Sequence, residues 1–194
     1  MLESALAQTV LVRRVCVIDN GQNEEALKQS LGLVKAARVA TDVFTPRRVM
    51  GVAEAWNWFI DYIPEERLIV ADDVEFPQQD VFQRMMDTPG DFVTARWFGC
   101  FIIRNSCIDK VGRFDELISP GYLYYEDIDY AQRMKNASVP ITEVAGGVLH
   151  VGSASLLAIP EAERQIRHHD RFLIAQQNYI RKWGSIPDWI PQVP

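Results

Sequence analysis

Glu126, Asp127 and Asp129 place three carboxylates within four residues, directly after the aromatic pair Tyr124-Tyr125. Carboxylates that close repel one another, so the group is expected to answer to a cation, a helix N-terminus or a proton-transfer task. A second acidic pair, Asp72-Asp73, follows the apolar run Leu68-Ile69-Val70-Ala71. Two acids at the end of a buried strand point to metal or nucleotide contact, against the plainer reading of loop solvation. A third acid, Asp19, ends Val15-Cys16-Val17-Ile18 and opens Asp19-Asn20-Gly21, which is also an ordinary turn sequence. The first cluster has a structural explanation too. Free N–H groups at a helix start favour negative charge, and Asp129 with Arg133, four apart, would form a surface ion pair worth roughly a few tenths of a kcal/mol.

These acids need elements to hold them. Val15–Ile18 is a short apolar run that reads as a strand delivered into a turn. Glu24 to Ala37 has helical spacing, with Leu27, Leu31 and Val34 on one side, and Arg38 to Phe44 reads as a second strand. Gly51 to Tyr62 reads as a helix with Trp56, Phe59, Ile60 and Ile63 near one face, and Leu68 to Ala71 as a third strand. Alternating strands and helices are the signature of a parallel sheet with crossover helices, and open α/β sheets bind ligands at the C-terminal ends of their strands. Asp19 and Asp72-Asp73 fall on that side. Further on, Gln79–Met86 suggests a helix, Phe92–Ala95 and Cys100–Ile103 strands, Glu126–Asn136 a helix and Ile141–Val144 a late strand. His150 enters a small-residue loop, Gly152-Ser153-Ala154-Ser155, and a polar helix is expected from about Pro160 to Tyr179. His150 is either a metal ligand or a satisfied core histidine; His168 and His169 read as solvated. Trp97 could stack on a substrate or simply pack.

The chain has 194 residues, 48% of them hydrophobic, enough to bury a full core in one domain with a short tail. A net charge of -6 argues against nonspecific nucleic-acid or anionic-membrane binding, though Pro46-Arg47-Arg48 could form a local basic patch. Cys16, Cys100 and Cys107 have no metal-type spacing, and Cys16 and Cys100 read as buried small hydrophobes, which favours a reducing, cytoplasmic setting. Met1-Leu2-Glu3 opens no signal peptide, and no run reaches the roughly 18 apolar residues of a membrane span.

The pieces in this order resemble the family 2 glycosyltransferases, over about Val15 to Gly184. Val17-Ile18-Asp19-Asn20-Gly21 is similar to that family's nucleobase-contacting strand end, and Gly51-Val52-Ala53-Glu54-Ala55-Trp56-Asn57 to its Gly-x-Ala-x-x-x-Asn helix start. Val70-Ala71-Asp72-Asp73 stands where its Asp-x-Asp metal motif belongs. Gly99-Cys100-Phe101-Ile102-Ile103-Arg104, Val111-Gly112-Arg113-Phe114-Asp115-Glu116 and Glu126-Asp127-Ile128-Asp129 form the most specific stretch. His150 with Ser155, and Tyr179-Ile180-Arg181-Lys182-Trp183-Gly184, complete the order. The resemblance implies a single α/β domain of GT-A (Rossmann-like) fold, a mostly parallel mixed sheet flanked by helices. It would span residues 1–184, with a nucleotide-binding half to about 76, an acceptor half after it, and a Pro/Trp-containing tail at 185–194.

The implied activity is inverting transfer of a sugar from a nucleotide-sugar, expected to be UDP-linked, to a hydroxyl of a saccharide or other acceptor. Asp127 would be the general base. Asp19, Asn20, Asn57, Asp72, Gly99 and Glu126 would bind the nucleotide-sugar, and Asp73 and His150 a divalent cation, Mn²⁺ or Mg²⁺. A cation bridging the diphosphate would stabilise the leaving group's charge. Nucleic acid is disfavoured as a partner by the charge, a modified-base acceptor apart, and a homo-oligomer is compatible with the sequence. The alternative is a non-catalytic nucleotide- or sugar-binding module. Two departures motivate it. Ala71 replaces the first acid of the metal motif, leaving Asp72, or Glu75 on a continuing strand, as substitutes. Only Met1 to Arg14 precede the Asp19 strand, with Leu2–Gln8 resembling the end of a first helix, so the family's first strand is missing. Either Thr9–Arg14 is recruited as a strand, a partner covers the gap, or the sheet is built differently.

Overall fold

The computed structural model describes residues 1–21, 24–120, 124–150 and 161–188, with side chains omitted for 161–168. The Gly152–Ser155 loop and residues 189–194 of the tail lie outside the described residues. In chain order the elements are α1 (Leu2–Leu6), β1 (Arg14–Ile18), α2 (Glu24–Ala36), β2 (Ala40–Phe44), α3 (Val52–Tyr62), β3 (Arg67–Val70), β4 (Val74–Glu75) and α4 (Val81–Asp87). There follow β5 (Phe92–Arg96), β6 (Cys100–Ile103), α5 (Asn105–Val111), α6 (Glu126–Asn136), β7 (Ile141–Glu143), β8 (Leu149–His150) and α7 (Glu161–Trp183). The chain is a mixed α/β domain with parallel sheet elements flanked by helices, as expected.

A four-stranded sheet of order β3-β6-β5-β7 forms its centre, with β6 antiparallel to both neighbours and β5 parallel to β7. Strand β6 is buried at every position, as an uninterrupted apolar run requires when both faces are covered. Alternation divides its side chains. Phe101 and Ile103 join Ile69, Phe92, Phe114, Tyr130 and Met134 under α3, α5 and α6, while Cys100 and Ile102 join Val93, Ala95, Phe82 and Met85 under α4 and α1.

Strands β1 and β2 form a separate parallel pair. Thr9 to Arg13 supply no strand, and the described residues show a sheet built in parts. No residue of β1 is fully buried, unlike those of β6. That corrects Cys16, expected as a buried hydrophobe and found half-buried, whereas Cys100 and Cys107 are buried. Burial pushes the Cys100 thiol up to about 12, which keeps it un-ionised and chemically quiet.

Besides the two-residue strand β8, two elements went unread in the sequence. Helix α5 has only seven residues and little amphipathic pattern. It ends because Gly112, with φ 84, turns the chain while its N–H donates to Ile108 O at 2.7 Å. The carbonyls left over are taken by α6: Tyr130 Oη donates to Gly112 O at 2.9 Å and Arg133 Nη1 to Val111 O at 3.0 Å. The other element is the two-residue strand β4, which pairs antiparallel with β8 and sets Val74 opposite His150.

Candidate active site

The three acids of α6 have three different environments. Tyr125, with φ 65, leads into the helix without a side-chain cap. Glu126 is 5% exposed, and its Oε2 is buried without a hydrogen-bond partner among the described residues. Burial, reinforced by the neighbouring Asp127 charge, pushes its carboxyl well above the ordinary carboxylate range. Asp127 is half-buried. Its Oδ2 accepts the Trp97 indole N–H at 2.7 Å and its Oδ1 accepts the Ile128 backbone N–H at 2.8 Å. Desolvation raises its pKa above the ordinary carboxylate range, and those two donors hold the rise in check.

Asp129 is not the surface acid that its spacing suggests. Its pairing with Arg133 is present, Nε to Oδ2 at 3.0 Å, but Asp129 is wholly buried. From α7, Lys182 Nζ reaches its Oδ1 at 2.7 Å and the Trp183 indole N–H donates to the same oxygen at 2.8 Å. Lys182 also reaches Asp115 at 2.7 Å. Asp129 therefore ties α6 to α7, and neither spacing nor charge pattern in the sequence marked it for that task. Beside this clamp, Tyr125, Ile118, Ala175 and Tyr179 form a small apolar cluster.

The second acidic pair lies in a turn. Strand β3 stops at Val70, and Ala71–Asp73 turn back so that Val74 N–H donates to Ala71 O. Asp72 is exposed, whereas Asp73 is half-buried and its Oδ1 lies 3.1 Å from His150 Nε2. Glu75, the other substitute, is exposed on β4 opposite Leu149. Gly99 closes the arrangement. Its carbonyl accepts the Ala71 N–H at 2.8 Å, and a Cβ there would lie 3.5 Å from Val74 and 3.7 Å from His150. His150 and Asp73 thus bring one nitrogen and one oxygen donor together, the pair that could hold a divalent ion. Among the described residues no group of three or more metal-ligating side chains converges.

His150 owes its place to the loop before it. Arg84 of α4 donates from Nη1 to Ala145 O at 2.7 Å, and its Nη2 reaches Gln78 at 2.9 Å. Gly147, with φ 83, fits beneath it: a Cβ would lie 2.6 Å from Val81 Cγ2 and 2.8 Å from Arg84 Nη2. Gly147→Ala is expected to lower stability by about 1–3 kcal/mol through the left-handed backbone and the clash. Thermal unfolding measures this; an unchanged midpoint would mean that the loop relaxes freely.

The remaining predicted positions are tied into loops. Asp19, at the end of β1, donates its N–H to Phe44 O at 2.9 Å. Asn20 bonds both backbone groups of Met50, accepting from its N–H at 2.7 Å and donating to its carbonyl at 2.9 Å. Asn57 is 3% exposed. Its amide accepts the Phe114 N–H and donates to Phe114 O and Glu116 Oε1, so its visible work is to hold the 114–116 loop against α3. The expected basic patch at Pro46-Arg47-Arg48 is partly neutralised, because Arg48 makes a bidentate pair with Glu54 at 2.7 and 2.9 Å. The contribution of Trp97, Arg84, Lys182 and Trp183 was not read from sequence. Lys182-Trp183 were noted only as part of the closing motif, and Trp97 only as a ring that could stack on a substrate or pack, not as a donor to Asp127.

No protein-family profile matches the chain, and no curated protein sequence does. Among solved structures, the chain is similar to the mannosyltransferase PcManGT from Pyrobaculum calidifontis, a structure in complex with GDP-Man and Mn²⁺, with a TM-score of 0.63 at 12% identity. The likeness covers 96% of this chain and 60% of that one, so the chain spans somewhat more than half the length of the structure it matches. No helix among the described residues is long and apolar enough to cross a membrane. At 12% identity the likeness concerns the fold alone: this chain shares the fold of that mannosyltransferase structure.

Proposed function

We propose that the protein is a metal-dependent, inverting glycosyltransferase of the GT-A type that moves a sugar from a nucleotide-sugar to an acceptor hydroxyl. The observation that carries this reading is Asp127: a carboxylate at a helix start, with raised pKa and both oxygens oriented by donors. Such a group is suited to accept a proton, which is the task of a general base. Glu126 beside it also has a raised pKa, so the pair resists carrying two negative charges at once.

Asp73 and His150 are the residues that would hold the cation. When bound, a divalent ion supplies charge stabilisation for the departing nucleoside diphosphate. Asp19, Asn20, Asp72 and Gly99 would line the nucleotide-sugar, while Asn57 would shape the site through the 114–116 loop. Asp127 takes the proton of the acceptor hydroxyl as that oxygen forms the new glycosidic bond. A single displacement inverts the anomeric centre.

Titration with a panel of UDP- and GDP-linked sugars in the presence of Mn²⁺, followed by a donor-hydrolysis and transfer assay, tests the reading. Asp73→Ala is expected to weaken Mn²⁺-dependent nucleotide-sugar binding by about tenfold or more, because one of two protein donors is lost. Calorimetry with and without the ion measures it; equal affinities would remove Asp73 from the metal site. The second reading, a non-catalytic binding module, is favoured by Ala71 and by the lack of a three-residue metal cluster among the described residues. Binding of a nucleotide-sugar without turnover on any acceptor would favour the module.

A further inference from the structure

Backbone strain in the described residues gathers around Asp127. Non-glycine residues with left-handed φ are Arg38, Trp97, Tyr124, Tyr125 and Ser138. Arg38 and Ser138 each follow a helix, α2 and α6, and their N–H groups satisfy the last carbonyls, at Lys35 and Lys135. That is the ordinary use of the conformation. The other three flank one side chain. Tyr124 and Tyr125, with φ 110 and 65, lead directly into the turn of helix that carries Asp127, and Trp97, with φ 46, donates its indole N–H to it. Bulky residues persist in this region only where the surroundings over-determine it, and such outliers cluster at functional sites.

The surroundings of Trp97 are over-determined. The buried Thr94 hydroxyl accepts the Arg96 N–H at 3.1 Å, lies 3.0 Å from Cys100 O, and donates to Trp97 O. Gly99 N–H donates to Arg96 O at 2.9 Å, closing the turn. Phe98 anchors it in the core, with ring centroids 5.0 Å from Phe92, 5.4 Å from Phe101 and 5.6 Å from Trp56. Phe98 points in and Trp97 out, 39% exposed. The core thus fixes a side chain whose polar contact is with Asp127.

We propose that Trp97 is a positioning residue: its indole N–H fixes the rotation of the Asp127 carboxylate, so that the remaining lone pairs meet the acceptor hydroxyl in one orientation. A carboxylate free to rotate would spend part of its time misaligned, and alignment of reacting groups carries a large share of catalytic rate. This inference rests on the base role given to Asp127 above. The contact also acts on titration, because a donor to the ionised form favours that form. Among the described residues the titratable group facing Asp127 is Glu126 beside it on α6, and from the β5–β6 turn the contact is the neutral indole.

Two variants of the full chain test it. Trp97→Phe removes the N–H, and 3-benzothienylalanine at position 97 removes it while keeping the bicyclic size, so that a folding defect in the first does not decide the matter. Both are expected to lower kcat for transfer by about tenfold or more, the loss of one charge-assisted hydrogen bond, with the donor KM unchanged. The acid limb of the rate profile should move to higher pH. Carbon-13 NMR of the carboxyl groups, with Asp127→Asn identifying the resonance, should show Asp127 titrating at higher pH in both variants. An unchanged rate and titration in both, with Asp127→Asn inactive, overturns this inference and leaves the base assignment standing. Transfer at the parent rate by Asp127→Asn overturns the base assignment and this inference with it.

Discussion

Asp127→Asn is expected to lower sugar transfer by about 10²-fold or more, while nucleotide-sugar binding in the presence of Mn²⁺ stays near that of the parent protein. The substitution is nearly isosteric. Asn keeps one oxygen to accept either the Trp97 indole or the Ile128 N–H, and loses the other of the two contacts. What it removes is the capacity to take a proton. Because burial holds the Asp127 pKa above the ordinary carboxylate range, the parent protein should lose activity as pH falls, beginning at a higher pH than an exposed aspartate would allow. Asp127→Asn should remove that acid limb along with the rate. Glu126 should also respond: with the Asp127 charge gone, one of the two causes that raise it disappears and its pKa should fall, burial remaining. Single-turnover transfer across pH, with calorimetric binding as the control, measures all of this. Normal transfer by Asp127→Asn would sink the assignment.

Asp129→Ala should have the largest effect on stability, a loss of about 3 kcal/mol. Asp129 is wholly buried and satisfies three donors, from Arg133, Lys182 and Trp183. Its removal leaves the Trp183 indole N–H without its acceptor and leaves two cations short of one anion. Arg133 retains Val111 O at 3.0 Å and Lys182 retains Asp115 at 2.7 Å, which keeps the loss below that of a fully stranded pair. For a chain of this size the unfolding midpoint should fall by about 10 °C. Asp129→Asn, which can still accept from Trp183 but carries no charge, should fall between the two. Thermal and urea unfolding measure the series. A loss under about 1 kcal/mol would mean that α7 is held by its apolar contacts with Tyr125 and Ile118 and that the ionic clamp adds little.

Helix α6 was legible to the residue. An acidic first turn, apolar residues at helical spacing and basic residues at the end are all local signals. Strands β1, β2, β3, β5 and β6 were legible within one or two residues because β-branched and apolar runs end at turn residues. Their pairing was not. The alternation over the first three strands suggests one parallel sheet, yet β3 meets β6 antiparallel, and β1 and β2 stand apart as a pair. Helix α5 escaped because seven residues carry too little periodicity to read.

The candidate site divides along the same line. The identities of Asp73, His150 and Asp127, and the spacing of Asp129 to Arg133, lie in the sequence, because residue type and short-range geometry follow directly from it. Whether each acid is ionised, buried or bonded depends on partners far along the chain. Trp97 stands 30 residues from Asp127, Trp183 54 from Asp129, and the loop that carries His150 is held by Arg84. Three neighbouring carboxylates look alike in sequence. Desolvation, one indole and one lysine give them three different environments: a buried carboxyl with raised pKa, a carboxylate oriented by two donors, and a buried clamp, and those are decided only where the elements pack.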